Sequence, residues 1–196
     1  MKKVFKEYSE TMIEVLSNRD WNDVRQLAES IRLTWSLGNQ IFLCGNGGSA
    51  ANATHLANDF LCGIAERGRP GARVEALSAN PAVMTCLAND VGYEDIFSEQ
   101  LKAKGQPEDI LIVLSGSGNS PNIIKAITVA NSLEMKTFAI LGFSGGRCLE
   151  LAHHVIHFPI QDMQISEDLQ LITGHMCMQW LVASKVGGSL SEAKSQ

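Results

Sequence analysis

The chain has 196 residues, of which 45% are hydrophobic and 19% charged, and its formal net charge at pH 7 is −5. The acidic balance and the lack of a Lys/Arg cluster argue against a nucleic-acid partner, because such surfaces use basic patches to neutralise phosphates. The N-terminus lacks a signal peptide and no run approaches the roughly 18 apolar residues of a membrane span, so a cytoplasmic protein without a membrane partner is expected.

The order of predicted elements indicates the fold class. Two stretches with apolar side chains at helical spacing open the chain, over residues 4–17 and 22–37. Short apolar runs that suit buried strands follow at 40–44, 73–77, 110–114, 137–141 and 154–158. Helical patterns alternate with them at 49–61, 82–89, 96–103, 121–133, 147–152 and 167–186. This succession predicts an α/β fold with a doubly wound, five-stranded parallel sheet flanked by helices.

A single domain over residues 1–186 is expected, since no linker or charge run divides the chain. The Gly/Ser-containing segment 187–196 is predicted to be a poorly ordered tail. The five cysteines are odd in number and lack C-x-x-C spacing, so neither a disulfide framework nor a cysteine zinc site is indicated, and burial is expected. The histidines of the fifth strand region, His153, His154 and His157, are interpreted as structural.

Two Gly/Ser-rich loops are candidates for phosphate binding. Gly45-Asn-Gly-Gly-Ser49 follows the first strand and Ser115-Gly-Ser-Gly-Asn-Ser120 follows the third, each before a predicted helix. Helix N-termini with free backbone N–H groups favour anions, and glycine permits close approach. Neither loop has the lysine of a Walker A motif or the G-x-G-x-x-G of a dinucleotide site. Either loop alone could be an ordinary βα turn; the two together favour the phosphate of a small ester.

Five segments in chain order carry a resemblance to a known family. They are Cys44-Gly-Asn-Gly-Gly-Ser-Ala-Ala-Asn-Ala-Thr-His55, Ala88-Asn-Asp-Val-Gly-Tyr-Glu-Asp-Ile-Phe97, Gly105-Gln-Pro-Glu-Asp-Ile-Leu111, Leu114-Ser-Gly-Ser-Gly-Asn-Ser-Pro-Asn122 and Gly145-Gly-Arg147. Together they resemble the sugar isomerase (SIS) domain family, most closely its phosphoheptose isomerase branch. The resemblance extends from about residue 37 to about residue 181.

The resemblance implies a flavodoxin-like SIS fold and a homotetramer that uses its N-terminal helices in assembly. It implies an aldose–ketose isomerase of a phosphorylated sugar, interconverting sedoheptulose 7-phosphate and D-glycero-D-manno-heptose 7-phosphate, with one Zn²⁺ per subunit. By position it assigns substrate contacts to Asn46, Gly47, Gly48, Ser49, Asn89, Asp90, Ser115, Gly116, Ser117 and Ser120. It assigns metal and catalytic positions to His55, Asp59, Glu167 and His175, of which Asp59 and Glu167 would also contact the substrate.

The chain departs from the family pattern at four positions. Gly116 stands where threonine is usual, Asp59 where glutamate is usual, and Glu167 where glutamine is usual. Gly63 lies near the place of an expected arginine. The departures at Asp59, Glu167 and Gly63 favour, as an alternative, an isomerase of a different phosphosugar. A non-enzymatic SIS protein that regulates or binds a partner is a second alternative, against which His55 and His175 argue.

Helical spacing bears on the metal site. His55 and Asp59, at i and i+4, share one helix face and could hold one cation. Glu167 and His175 would be about 12 Å apart along an ideal helix, so one straight helix cannot bring both to one ion. Either the helix begins after Glu167, or it is bulged near Gly174, or a neighbouring subunit completes the site. For chemistry through an enediolate, Asp59 or Glu167 is predicted as the base and His175 as the acid.

Overall fold

The computed structural model describes residues 2–65 and 70–192. Two helices, α1 (Lys2–Ser17) and α2 (Asn22–Leu37), open the chain where helical spacing predicts them. Helix α2 ends at Gly38, whose left-handed backbone (φ 76°) lets its N–H bond the carbonyls of the last turn. The predicted N-terminal helical pair is confirmed.

The sheet has five parallel strands, as predicted. They are β1 (Gln40–Gly45), β2 (Arg73–Ala76), β3 (Ile110–Ser115), β4 (Lys136–Leu141) and β5 (His154–His157). Their order in the sheet is β2-β1-β3-β4-β5, the flavodoxin-like order. The direction of winding reverses between β1 and β3, and ligands of such sheets bind at the carboxyl ends of the strands at this switch point. Both Gly/Ser loops leave the sheet there.

Helices cover the sheet on both faces. After α1 and α2 the described residues form α3 (Gly48–Asn58), α4 (Pro81–Asp90), α5 (Ser98–Lys104), α6 (Pro121–Ser132), α7 (Cys148–Leu151) and α8 (Met163–Glu192). A π-helical turn, Asp59–Gly63, continues α3, and a 3₁₀ turn, Tyr93–Asp95, precedes α5. None of these helices is long and apolar enough to cross a membrane.

Alternate residues of the strands pack into two cores, one on each face of the sheet. On one face Ile41, Leu43 and Ile112 pack with the inner sides of α2, α3 and α8. On the other, Phe42 and Val113 pack with α5 and α6. Strands β1, β3 and β4 are buried on both faces, which explains their continuous apolar runs and made them predictable, whereas the outer strands β2 and β5 are only partly buried.

Helix α8 differs from its prediction at both ends. It begins at Met163, because Asp162 caps it by accepting a hydrogen bond from the Ile165 N–H (3.0 Å). It continues to Glu192, so residues 187–192 of the expected tail are helical, and 193–196 lie outside the described residues. Each of the two glycines at 187 and 188 weakens a helix by about 1 kcal/mol, and for this reason the sequence predicted that the last helix ends before them.

Two cysteines contradict the expectation of burial. Cys44, Cys148 and Cys177 are buried, whereas Cys62 and Cys86 are exposed. Cys62 lies on the outer side of the π-helical turn, and Cys86 lies on α4, a helix with no buried residue.

The histidines near the fifth strand have structural partners, as predicted. The Nδ1 of His153 pairs with the Thr137 hydroxyl (3.0 Å), the His154 ring stacks on Phe138, and the Nε2 of His157 pairs with the carbonyl of Phe143 (3.0 Å).

Candidate active site

Helices α3 and α8 lie side by side and point in the same direction. Asn52 of α3 donates from Nδ2 to the Glu167 carbonyl (2.9 Å) and to the Gln170 side chain (3.0 Å) of α8. About one turn further on, Gly174 packs on Leu56 so closely that a β-carbon would lie 2.2 Å from a leucine methyl group. The glycine therefore sets the distance between the helices, and α8 needs no bulge at Gly174.

The first loop joins β1 to the N-terminus of α3. Gly47 has a positive φ of 55°, which a residue with a side chain rarely adopts. Ser49 is only 4% exposed, and its Oγ accepts a hydrogen bond from the Gln170 Nε2 (3.0 Å). Because the Ser49 oxygen is already an acceptor, its own hydroxyl proton remains available to a ligand.

The second loop joins β3 to α6 in the same manner. The Oγ of Ser115 accepts from the Gly118 N–H (3.1 Å), and the Oγ of Ser117 accepts from the Asn119 N–H (3.3 Å). Both hydroxyl protons are then left for a ligand. Ser120 begins α6 without a side-chain capping hydrogen bond. The second loop thus presents hydroxyl donors toward the first.

A cavity of about 270 Å³ lies between the two loops. Most of the predicted substrate contacts line it: Asn46, Gly47, Gly48, Ser49, Ser115, Gly116, Ser117, Ser120 and Glu167. Leu114 and Met163 complete its wall. Its polar lining consists of hydroxyl, amide and backbone groups and the Glu167 carboxylate, with no Lys or Arg among the described residues that form it. These groups and the N-terminus of α3 can hold an anion.

Glu167 is the charged group of this cavity. Both of its carboxylate oxygens would lie 2.4 Å from a β-carbon at position 48, so Gly48 is required for the carboxylate to fit against the first turn of α3. This location separates Glu167 from His175, the other predicted metal position on α8. The helix begins before Glu167 and continues without interruption to His175. The third sequence alternative, completion by a neighbouring subunit, stays a prediction.

Gly116 lies under Met163. A β-carbon at position 116 would lie 2.6 Å from the Met163 sulfur, so the thioether occupies the space that a side chain in the second loop would fill. The departure from the family pattern at Gly116 therefore changes the cavity wall from a hydroxyl to a thioether.

His55, Asp59 and His175 form a second cluster, two helical turns from the cavity. Their Nε2, Oδ2 and Nε2 atoms are mutual neighbours: His55 to His175 is 2.9 Å, His55 to Asp59 is 3.4 Å and His175 to Asp59 is 3.2 Å. Asp59 begins the π-helical turn, a distortion frequent at functional sites. We call these residues the His–Asp–His cluster.

The His–Asp–His cluster fits a zinc ion. Ligand atoms about 2.0–2.1 Å from a tetrahedral zinc lie about 3.3 Å from one another, close to all three separations observed. Two imidazoles and one carboxylate with a free fourth position is the donor set of catalytic zinc sites. Among the described residues, these three each offer one ligand atom within 4.8 Å of the other two, and Glu167 does not belong to this group.

Asn89 and Asp90 are exposed at the end of α4 and do not line the cavity. Asn89 donates to the Asp90 carboxylate (2.7 Å), and this hydrogen bond, followed by one from Cys86, lowers the pKa of Asp90. Their predicted contact with substrate stays a prediction.

Sequence reasoning missed several residues of the site. Met163 and Leu114 line the cavity, Gln170 orients Ser49, and Asn122 and Tyr93 bind the side chain of Asn46. Asn122 lies two residues after the end of the second loop, and an amide next to the helix-starting proline was the signal that the sequence offered.

Comparison with known proteins defines the class. Residues 4–142 match the model of the SIS domain, more than half of the chain. The chain therefore belongs to the SIS domain family.

Within that family its relatives include phosphoheptose isomerases. It is 38% identical over 184 residues to the phosphoheptose isomerase of Chlorobaculum parvum, covering 92% of this chain and 87% of that one. It is 37% identical over 166 residues to that of Akkermansia muciniphila, covering 85% and 87%. A solved phosphoheptose isomerase from Francisella tularensis superimposes with a TM-score of 0.86 at 27% identity, over 92% of this chain and 97% of the other.

Proposed function

We propose that the chain is an aldose–ketose isomerase that interconverts sedoheptulose 7-phosphate and D-glycero-D-manno-heptose 7-phosphate through an enediolate. The observation that carries this proposal is the pairing of an anion cavity with the His–Asp–His cluster on two parallel helices. The similarity to phosphoheptose isomerases supports the choice of a heptose phosphate.

The distance between the two parts of the site suits a long substrate. His55 lies seven residues after Gly48 on α3, and His175 lies eight residues after Glu167 on α8, or about 10–12 Å along either axis. An extended seven-carbon sugar with a terminal phosphate is of comparable length. The phosphate can therefore occupy the cavity while the reacting carbons approach the cluster.

The cavity supplies binding energy away from the reacting carbons. The hydroxyls of Ser49, Ser115 and Ser117 each accept a hydrogen bond within the protein and can donate to phosphate oxygens. Such remote contacts orient the sugar for proton transfer.

Isomerisation moves one proton between C1 and C2, with a second transfer between the oxygens. We assign the base to Asp59, with Glu167 as the other candidate, and the acid to His175. Asp59 is favoured because its carboxylate lies against both imidazoles. When Oδ2 and the two Nε2 atoms hold the metal, the second oxygen of Asp59 and the Nδ1–H of His175 would be the groups left to carry the proton. Zinc held by His55, Asp59 and His175 would act as a Lewis acid that stabilises negative charge on the substrate oxygens.

We also propose a cytoplasmic homotetramer. Helix α1 has no buried residue, and three of its large apolar side chains, those of Val4, Phe5 and Ile13, are each more than 60% exposed. Apolar side chains left exposed on one helix favour burial against another subunit. Light scattering should give a tetramer at micromolar concentration, and a monomer would refute this assembly.

Proton transfer through an enediolate gives a specific test. The purified, zinc-loaded protein is incubated with sedoheptulose 7-phosphate in D₂O, and the sugars are followed by NMR. We expect the aldose to form with deuterium at C2, because the enediolate is reprotonated from exchangeable groups. Aldose that still carries only hydrogen at C2 and C1 after many reversible turnovers would contradict the enediolate, and no conversion would contradict the activity.

A further inference from the structure

A buried amide joins the two loops of the cavity. Asn122, in the first turn of α6, is 1% exposed. Its Nδ2 donates to the Oδ1 of Asn46 (2.8 Å), and its Oδ1 accepts from the Nδ2 of Asn46 (2.9 Å). The hydroxyl of Tyr93 donates to the same Asn46 Oδ1 (3.1 Å). Asn46 belongs to the first loop, whereas Asn122 belongs to the helix that the second loop begins.

These bonds determine what Asn46 can offer to a ligand. An amide oxygen has two lone pairs and an amide nitrogen two protons. The Asn46 oxygen accepts from both Asn122 and Tyr93, and one of its two N–H groups is donated to Asn122. One N–H therefore remains, so this side chain can donate to an oxygen acceptor such as phosphate but has no free lone pair.

We propose that Asn122 is a positioning residue of the phosphate cavity: it holds Asn46, and with it the first loop, at a fixed distance from the second loop. The inference rests on the proposed function, since it concerns the anion that both loops bind. Asn122 does not itself line the cavity, whereas Asn46 does. Its effect on the ligand therefore passes through Asn46.

Coupling between the two amides is the measurable consequence. If Asn122 acts through Asn46, its removal matters only while Asn46 is present. Asn122→Ala should weaken binding of inorganic phosphate about three- to tenfold, the loss expected for about one net hydrogen bond. In an Asn46→Ala background the same substitution should change the affinity less than twofold.

Isothermal titration calorimetry with inorganic phosphate on the wild type, both single variants and the double variant completes this cycle. Asn131→Ala is the matched control, because Asn131 is another amide of α6 that bonds the Leu151 carbonyl (2.9 Å) and Thr137 (2.9 Å) away from the cavity. It should lower the Tm without changing phosphate affinity. In the isomerase assay Asn122→Ala should raise KM and leave kcat within about twofold.

Tyr93→Phe covers the case in which Asn122→Ala does not fold, because Tyr93 is 59% exposed and its hydroxyl contributes to the same amide. It should weaken phosphate binding about twofold, and only when Asn46 is present. If the wild type binds phosphate but the losses of affinity in Asn46→Ala and in its partner variant simply add in the double variant, the positioning role is overturned and the phosphate cavity is not. A wild type that binds no phosphate at millimolar concentration would overturn the phosphate cavity, and the positioning role with it.

Discussion

The phosphate cavity and the His–Asp–His cluster are built differently, although the same two helices carry both. In the cavity, Ser49 and Ser115 are about 5% exposed or less, and each hydroxyl is oriented by a donor from the protein. In the cluster, the side chains of His55 and His175 are 50% and 42% exposed. The cavity is therefore preorganised for binding, whereas the cluster is open on the side where substrate, metal or another subunit would complete it.

This contrast suggests that binding and chemistry can be separated by substitution. Groups in the cavity should govern affinity for phosphate, and groups in the cluster should govern the rate of proton transfer. The substitutions below test that separation.

The largest effect is expected for His175→Ala. A positioned acid or base contributes about 10²–10⁴-fold, so kcat should fall on that scale while the Kd for inorganic phosphate changes less than twofold. His154→Ala is the control, because His154 lies on β5 and stacks on Phe138. Steady-state kinetics with calorimetry separate the two quantities. Equal losses in rate and in phosphate affinity would show that the two regions are not independent.

Asp59→Asn tests the metal site. The variant removes the carboxylate that both imidazoles contact, so zinc affinity should fall more than about 100-fold. Competition with a chromophoric chelator measures the affinity, and Glu150→Gln, an exposed carboxylate on α7, is the matched control. Chelator treatment of the wild type should abolish turnover, and added zinc should restore it. Unchanged zinc binding by Asp59→Asn would remove the His–Asp–His cluster from consideration as the metal site.

The sequence predicted much of this arrangement, and its failures have physical causes. Strands β1 and β3 were predicted to within one residue because continuous apolar runs between turn signals are unambiguous. The resemblance assigned His55 and Asp59 to the metal site, and helical spacing placed the two residues on one helix face. The contact between Gly48 and Glu167 links residues 119 positions apart, and local periodicity carries no information about it. The contact between Met163 and Gly116 is also long-range in sequence and could not be predicted from local periodicity either.

Ser49→Ala combined with Ser120→Ala tests the cavity. A hydrogen bond to a charged group is worth about 1.5–3 kcal/mol, so the loss of even one should weaken sugar-phosphate binding by about tenfold or more. The fold should persist, and kcat at saturating substrate should fall less than the affinity does, because only part of the binding energy serves to orient the sugar. Ser132→Ala, at the far end of α6, is the control, since its hydroxyl bonds only the Val129 carbonyl among the described contacts. Unchanged affinity in the double variant would refute phosphate binding between the loops.

The smallest effect is expected for Glu167→Gln. Removing the negative charge from the cavity reduces repulsion of the phosphate by about 1 kcal/mol, so phosphate affinity should rise a few-fold. Calorimetry at two salt concentrations checks that the gain is electrostatic, because screening should reduce it. If the substitution instead slowed turnover by about two orders of magnitude or more, Glu167 would be identified as the base, and the assignment to Asp59 would be contradicted.

The most direct test of the central claim is turnover of sedoheptulose 7-phosphate by the purified, zinc-loaded protein. We expect conversion to D-glycero-D-manno-heptose 7-phosphate, detected by NMR, with loss of activity in His175→Ala and on chelation. Turnover of a shorter or longer ketose phosphate in its place would leave the chemistry intact and contradict the substrate. Absence of turnover with every ketose phosphate tested, from a folded protein that binds zinc, would contradict the account.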